Sequence, residues 1–547
     1  MSGRLALLRI PHLRFGSRSA PLENGAPREH RGAFWAALVA LAIGFVVLGG
    51  ATLDLGLVES RLGLAAREGL GPLGQIYGGW EPSLWPAQVV TSQLWARAEG
   101  GTPSSGAVRW PAAIAGIVIG LGLARRMAAM LGQRAGLFMG LCWFGTIALI
   151  DRSAGGSIDL IAGLGVVAAF DRILVRGSDV WAGVFAALAF LAGGWPPLAL
   201  IALATVVIGK PASTLSFRLS WPPLIAATLW SAWALTMARA EVWAAALALP
   251  LTQPPAFTLA LGVMALGLPW SPLALLVLSR RLREVWPEPA RGMVVGWLQV
   301  AGACLLAGSL VPGLAGAALV PGLAGLAVAA AAVCEALWTE SVAGSLATGV
   351  RRIFLALAFG LALVWVAIAL GEGGYLAASV SFYRPVALLL VCLALVIGQV
   401  GLAAAWRGQP RWALGVLIAV AVCVKIAHWG VYVPEWNYRR SQGPWGRAIG
   451  QWVPPNWPIY TIHTWPADLA FATERPVRQL ADARLLNYKS KARPHFVLLL
   501  PSELKNWPTS APRLFVVRTF QDERGDERVL AHTAGSLAQA RPAREGY

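Results

Sequence analysis

The sequence predicts a mainly α, polytopic membrane protein that ends in a small external α/β domain. Three observations predict it. Hydrophobic residues make up 57% of the 547 and charged residues only 13%, about half the ~25% of a soluble globular chain, so lipid must be the solvent for most of the surface. Apolar runs near the ~20 residues needed to cross hydrocarbon recur between residues 33 and 433. Lys and Arg exceed Asp and Glu by 45 to 27, and the excess lies in short clusters on alternate connections, as the positive-inside bias requires.

The first 32 residues carry Arg4, Arg9, Arg14, Arg18, Arg28 and Arg31 without an apolar core and cleavage site, which reads as a cytoplasmic basic arm. Spans follow at about 33–52, 110–124, 135–150, 155–170, 180–193, 195–208, 221–238, 256–278, 292–311, 313–334, 352–371, 384–405 and 412–432, roughly thirteen by hydropathy. The pair around Trp195-Pro196-Pro197 reads equally as one kinked helix. Arg125/Arg126/Arg134, Arg172/Arg176, Lys210/Arg218, Arg280/Arg281/Arg283, Arg351/Arg352 and Arg407/Arg411 fall on the same side as the basic arm. The other connections carry Glu59, Glu81, Asp151, Asp159, Glu241 and Glu372. An odd number of spans puts the N-terminus inside and the C-terminus outside. Because the +18 net charge is spread over these connections, it implies no nucleic-acid partner.

Two stretches are too polar to span. The first external loop, about 53–109, includes an amphipathic piece from Glu59 to Leu70 suited to a membrane interface. The region from about 434 to 547 alternates short β-like runs (459–462, 496–500, 514–520) with helical and turn segments, and residues 518–532 read as a strand, a polar turn and a returning strand. Cys142, Cys304, Cys334, Cys392 and Cys423 all lie in apolar runs, so no disulfide framework is implied. The six histidines are dispersed and show no zinc-finger or metalloprotease spacing.

Charges near membrane depth but outside the cytoplasmic clusters are costly, and so are candidates for function. They are Glu59, Arg61, Arg67, Glu68 and Glu81 in the first loop, then Asp151, Arg152 and Asp159. A carboxylate can activate a hydroxyl while arginines hold an anionic leaving group. Each has a structural alternative: Glu59 anchors the loop through Arg61, Asp159 caps a helix, and Arg61 and Arg67 are interfacial anchors. Glu59 and Glu81 form a candidate divalent-metal pair that lacks a recognisable third ligand.

The order of several short motifs resembles the GT-C membrane glycosyltransferases, in the branch of aminoarabinose–lipid A transferases and protein O-mannosyltransferases. Val58-Glu59-Ser60-Arg61-Leu62 followed by Ala66-Arg67-Glu68 is similar to that family's Asp-Glu-x-Arg-Tyr and Ala-Arg-Glu. Trp80-Glu81-Pro82-Ser83-Leu84 stands for Glu-Lys-Pro-Pro-Leu, and Ile158-Asp159-Leu160 for the Leu-Asp pair. Leu268-Pro269-Trp270, Leu319-Val320-Pro321-Gly322 and Arg475-Pro476-Val477 continue the likeness over nearly the whole chain.

The resemblance implies a GT-C-like bundle of about thirteen helices with an external α/β domain, in a bacterial inner membrane with that domain periplasmic. It implies transfer of a sugar from a polyprenyl-phosphate donor to a lipid or protein hydroxyl on the external face. Glu59 and Asp159 would be the catalytic carboxylates, and Arg61, Arg67 and Arg152 the phosphate binders. A divalent metal would sit on Glu59 and Glu81.

The chain also departs from the pattern. Val58 replaces the leading Asp, the Lys beside Glu81 has no counterpart, Gly193 stands for another Lys, and Gly316-Ala317-Ala318 lacks a basic residue. Arg61, Arg67, Arg152 and Lys425 are the cations left for a departing phosphate. The departures keep a second reading open: a catalytically degenerate relative that binds lipid or organises partners. A transporter is disfavoured because the candidate charges cluster on one side and no inverted repeat is visible.

Overall fold

The computed structural model describes residues 29–44, 54–68, 86–100, 104–150, 159–176, 180–208, 217–237, 258–339, 343–370, 384–437, 441–455, 457–463, 465–488, 494–521 and 527–533. Among these, six helices are long and apolar enough to cross a membrane: Ser105–Leu131, Glu288–Leu310, Pro312–Trp338, Thr348–Ala367, Arg384–Trp406 and Pro410–Glu435. They coincide with six of the expected spans. Shorter apolar helices cover Gly32–Ala42, Val180–Gly193 and Trp195–Val207. The last two are separate helices, parted at Gly194, whose φ of 75° is readily open only to glycine.

The Pro312–Trp338 helix is the central pillar and is almost wholly buried. Glycines let its neighbours approach: a Cβ on Gly163 would meet Val320, and one on Gly325 would collide with the Trp297 carbonyl. Small residues at such contacts are how helices gain close packing where lipid offers no hydrophobic drive. By contrast, Thr348–Ala367 and Arg384–Trp406 leave Leu355, Phe359, Leu363, Leu389, Val396 and Val400 exposed, as lipid-facing helices do.

At the span expected over 256–278 the structure has a broken pair, Leu259–Leu266 and Ser271–Leu278, bent by 110°. Pro269 supplies no N–H to continue the first helix. The freed backbone groups find partners nearby: Ser271 N–H donates to the Gly267 carbonyl, and Ile147 N–H donates to the Leu268 carbonyl. Ile147 itself follows a break at Gly145 and Thr146, so two interrupted helices satisfy each other inside the bundle, as buried irregular backbone must.

At one end of the bundle, arginines hold helix termini. Arg351 donates to the carbonyls of Ala405 and Trp406, and Arg411 to that of Trp338. Both lie where the helix dipole favours a cation. Arg126 and Asp171 form a two-point ion pair (2.9 and 2.7 Å) at this end.

At the other end stands a small mixed sheet of order β2-β1-β3-β5-β4: β1 Ile459–Thr461, β2 Val477–Gln479, β3 Phe496–Leu499, β4 Leu514–Gln521 and β5 Glu527–Thr533. β1 runs parallel to β2 and β3, while β5 is antiparallel to β3 and β4. The expected strands near 459, 496, 514 and 527 are all present, and the polar turn between the last two lies outside the described residues. The Ala467–Ala472 helix connects β1 to β2.

The amphipathic piece of the first loop forms the Leu57–Glu68 helix, but it packs beneath the sheet unit. Leu55, Leu62 and Leu64 join Ile449, Val453, Trp465, Leu469 and Phe471 in one buried cluster. Burial of each leucine is worth roughly 1.5–3 kcal/mol, which fixes the first loop to the C-terminal region.

Candidate functional site

The seam between the Leu57–Glu68 helix and the C-terminal region gathers charge. Asp54 precedes the helix and accepts from Arg447 at two points, Nη1 to Oδ1 at 2.8 Å and Nη2 to Oδ2 at 3.3 Å. Its own N–H donates to Asn437 Oδ1 at 2.7 Å. Asn437 follows the Pro410–Glu435 span, and Arg447 lies on the Gly443–Trp452 helix. Gly443 makes this approach possible, because a Cβ there would stand 2.9 Å from the Asp54 carboxylate carbon.

Glu59 occupies the first turn of its helix, where a carboxylate complements the positive end of the dipole. It is half-buried. Arg109, on the first turns of the Ser105–Leu131 helix, is 5% exposed and interacts electrostatically with Glu59 and, more weakly, with Asp54. The seam therefore holds two carboxylates and two guanidinium groups from three separate parts of the chain. Beside it, Gln442 N–H donates to Asp468 Oδ2 at 3.0 Å. Burial is the largest influence on the Asp468 carboxyl and pushes it above the usual carboxylate range, against the opposing pull of that hydrogen bond and of Arg528.

The other expected residues are placed differently. Arg61 is exposed on the same helix. Arg67 is engaged with the sheet unit: Nη2 donates to the Phe471 carbonyl at 3.1 Å, and the guanidinium carbon lies 4.9 Å from the Phe471 ring centroid. Asp159 opens the Asp159–Arg176 helix and lines a cavity of ≈ 10 Å³ with Trp143, Thr146, Leu149 and Val320, room for about one water. Among the described residues, that cavity's lining contains neither Glu59 nor an arginine. The Ser105–Leu131 helix gauges the separation. Gly116 faces Leu149 and Leu160 at the cavity level, and seven residues at 1.5 Å place Arg109 roughly 10 Å higher. Glu59 and Asp159 thus occupy two tiers.

Glu81, Asp151 and Arg152 lie outside the described residues. Among the described residues, no group of three or more His, Cys, Asp or Glu side chains comes together to hold a metal ion. The seam carboxylates face guanidinium groups, a donor set suited to ion pairing rather than to a divalent cation.

Sequence reasoning missed Asp54, Arg109 and Arg447. One signal for Arg109 was available: it is a lone arginine beside Trp110, at the end of an apolar run whose opposite end carries Arg125 and Arg126. No local pattern announces Arg447, which meets Asp54 across 393 residues.

No protein-family model and no curated relative matches the sequence. The fold does match solved structures. ArnT from Cupriavidus metallidurans bound to undecaprenyl phosphate superposes with a TM-score of 0.69 at 16% identity, over 94% of this chain and 100% of that one. Its apo form gives a TM-score of 0.67 with the same identity and coverage. The archaeal oligosaccharyltransferase AglB from Archaeoglobus fulgidus, in complex with an inhibitory peptide and a dolichol-phosphate, is 12% identical with a TM-score of 0.41, over 82% of this chain and 65% of that one. The chain shares the fold of ArnT.

Proposed function

We propose that the chain is a GT-C-type membrane glycosyltransferase that moves a sugar from a polyprenyl-phosphate donor to a lipid or protein hydroxyl on the external face. The observation that carries this reading is the coincidence of an ArnT-like fold over 94% of the chain with a charged seam between the first loop and the sheet unit. Six long helices, one broken pair and three shorter apolar helices give ten candidate crossings among the described residues, and we keep the reading of about thirteen spans with basic clusters on alternate connections. This supports a cytoplasmic N-terminus and an external sheet unit, with a bacterial inner membrane as the compartment.

In this reading Glu59 is the general base. It takes the proton of the acceptor hydroxyl as the acceptor oxygen forms a bond to the sugar's anomeric carbon. The bond from that carbon to the phosphate oxygen breaks, and its electron pair leaves on the polyprenyl phosphate. Arg109 stabilises the charge that develops there. The Asp54–Arg447 pair positions the helix that carries Glu59. Arg61 and Arg152 remain further candidates for phosphate binding, Asp159 orients the acceptor from the lower tier, and Arg67 clasps the first loop to the sheet unit.

The degenerate, lipid-binding reading draws support from one position. A Cβ on Gly193 would stand 2.9 Å from Ala162 Cβ, so the place that the resemblance fills with lysine is a close helix contact here.

Mass spectrometry of envelope lipids and glycoproteins separates the two readings, comparing a deletion with complementation by the wild type or by Glu59→Gln. The transferase reading expects a sugar modification that is lost on deletion, restored by the wild type and not restored by Glu59→Gln. An unchanged glycan profile on deletion, or full restoration by Glu59→Gln, would overturn it.

A further inference from the structure

The first external loop carries a further helix, Pro86–Ala98, packed against both the Leu57–Glu68 helix, which bears Glu59, and the Val180–Gly193 helix. Two of its glutamines reach different neighbours. Gln88 Nε2 donates to the Ala192 carbonyl, and Gln93 Nε2 donates to the Ala66 carbonyl at 3.3 Å. Five residues apart on a helix of about 3.6 residues per turn, the two side chains leave in directions about 140° apart. One helix is thereby tied to the Glu59 helix on one side and to the bundle on another.

Each tie answers a need at its far end. Ala66 and Ala192 lie in the last turns of their helices, where carbonyls have no partner within the helix. After Ala192 the next helix opens Trp195-Pro196-Pro197, and its prolines bring no N–H to that end. Gln88 supplies the donor from the first loop. The amide is held there at a cost: Gln88 is 1% exposed, and its buried Oε1 meets no donor among the described residues. An apolar residue of the same length would avoid that penalty, so packing alone does not account for a glutamine at this position.

The held carbonyl is one residue from the helix of the other carboxylate. A Cβ on Gly193 would stand 2.9 Å from Ala162 Cβ, and Asp159 is one turn back from Ala162 on the same face of its helix. We propose that Gln88 is a positioning residue which, with Gln93, makes the Pro86–Ala98 helix a strut that sets Glu59 against Asp159. The catalytic consequence rests on the transferase reading, in which both carboxylates act on one reaction from two tiers. A reacting group misplaced by about 1 Å can cost on the order of 10²-fold in rate, so a strut between the tiers governs turnover more than substrate binding.

The test uses the full chain in nanodiscs, with Gln88→Met, Gln93→Met and the double variant. Methionine keeps the length of glutamine and sheds its polar atoms, so these variants are expected to fold. Spin labels at Leu94→Cys and Leu188→Cys, 58% and 49% exposed in the native chain, read the distance between the Pro86–Ala98 and Val180–Gly193 helices by pulsed EPR. The background carries Cys392→Ser, which removes the exposed native thiol. Gln88→Met is expected to broaden the distance distribution and to lower kcat for sugar transfer roughly 10–100-fold, with KM within about twofold of the wild type. The double variant should be no slower than the slower single variant, because a strut cut at one end is already cut. A shifted melting temperature with kcat per folded molecule unchanged would reduce Gln88 to a helix cap and overturn the proposal. An unchanged distance distribution in Gln88→Met, or losses that multiply in the double variant, would overturn it as well. A wild type that transfers no sugar would instead sink the transferase reading, and the distance distribution would still decide whether Gln88 makes the tie.

Discussion

Two aspartate–arginine pairs, one at each end of the bundle, have the same chemistry and different surroundings. Arg126 and Asp171 meet at 2.9 and 2.7 Å, join the Ser105–Leu131 helix to the Asp159–Arg176 helix, and are a closed unit in which each satisfies the other. Arg447 and Asp54 meet at 2.8 and 3.3 Å, but a further buried arginine, Arg109, and a further carboxylate, Glu59, lie within electrostatic reach. A closed pair is a fastener. A pair with extra charge of both signs beside it can lend a base to one group and a cation to another. The difference teaches that neighbours, rather than the pair itself, distinguish a structural salt bridge from a candidate site.

The largest expected effect breaks the comparison at its extra members. Glu59→Gln and Arg109→Met should each lower sugar transfer by about 10²–10³-fold, the usual cost of losing a catalytic base or a preorganised stabiliser of charge. Arg126→Met should leave the rate of transfer per folded molecule unchanged. If Arg126→Met slows transfer as much as Arg109→Met, the distinction fails.

Stability reads the comparison in the opposite sense. A double-mutant cycle on Arg126 and Asp171 should give a coupling of about 1 kcal/mol. The cycle on Arg447 and Asp54 should give less, because Arg109 continues to offset Asp54 and the Arg447 side chain is 52% exposed. Chemical denaturation in mild detergent measures both, and a larger coupling at Asp54 would mean that Arg109 does not share its charge.

A smaller effect is expected where the seam is clasped. Arg67→Lys keeps the charge but loses the planar stacking on Phe471. It should destabilise by about 0.5–1 kcal/mol and speed proteolysis between the first loop and the bundle.

The smallest effect is a pH dependence. Burial raises the Asp468 carboxyl above its ordinary value of 3.8, so the folded state holds its proton more tightly than the unfolded state. The wild type therefore gains stability from this group as pH falls through the raised value, and the gain is complete below 3.8. Asp468→Asn lacks that gain. The melting temperature of Asp468→Asn minus that of the wild type should fall between pH 7 and pH 4, and a rise would contradict the stated cause.

These expectations rest on parts of the molecule that differed in how far the sequence disclosed them. Six long spans were legible because length and apolarity alone decide whether a helix crosses hydrocarbon. The strands near 459, 496, 514 and 527 were legible from short apolar runs bounded by turn residues. The bend within residues 256–278 was not legible, because hydropathy sums composition and is blind to a break at Gly267–Trp270 whose Leu268 carbonyl accepts from Ile147 of another broken helix. Glu59 was legible as a costly carboxylate beside a motif. Its partner Arg109 was absorbed into the edge of a span, and Asp54–Arg447 depends on packing between segments 393 residues apart. The lower tier was half legible: Asp159 stood out as a charge in apolar company, and its separation from Glu59 appeared only with the fold.

The most direct test of the central claim is release of polyprenyl phosphate from a panel of polyprenyl-phosphate sugars by the purified chain in nanodiscs, with envelope lipids and glycoproteins as acceptors. Release is expected to be stoichiometric with sugar appearing on an acceptor, reduced at least 100-fold by Glu59→Gln and by Arg109→Met, and unaffected by Arg126→Met. Release that proceeds equally in Glu59→Gln, or a wild type that binds the donor and never releases the phosphate with any acceptor, would contradict it.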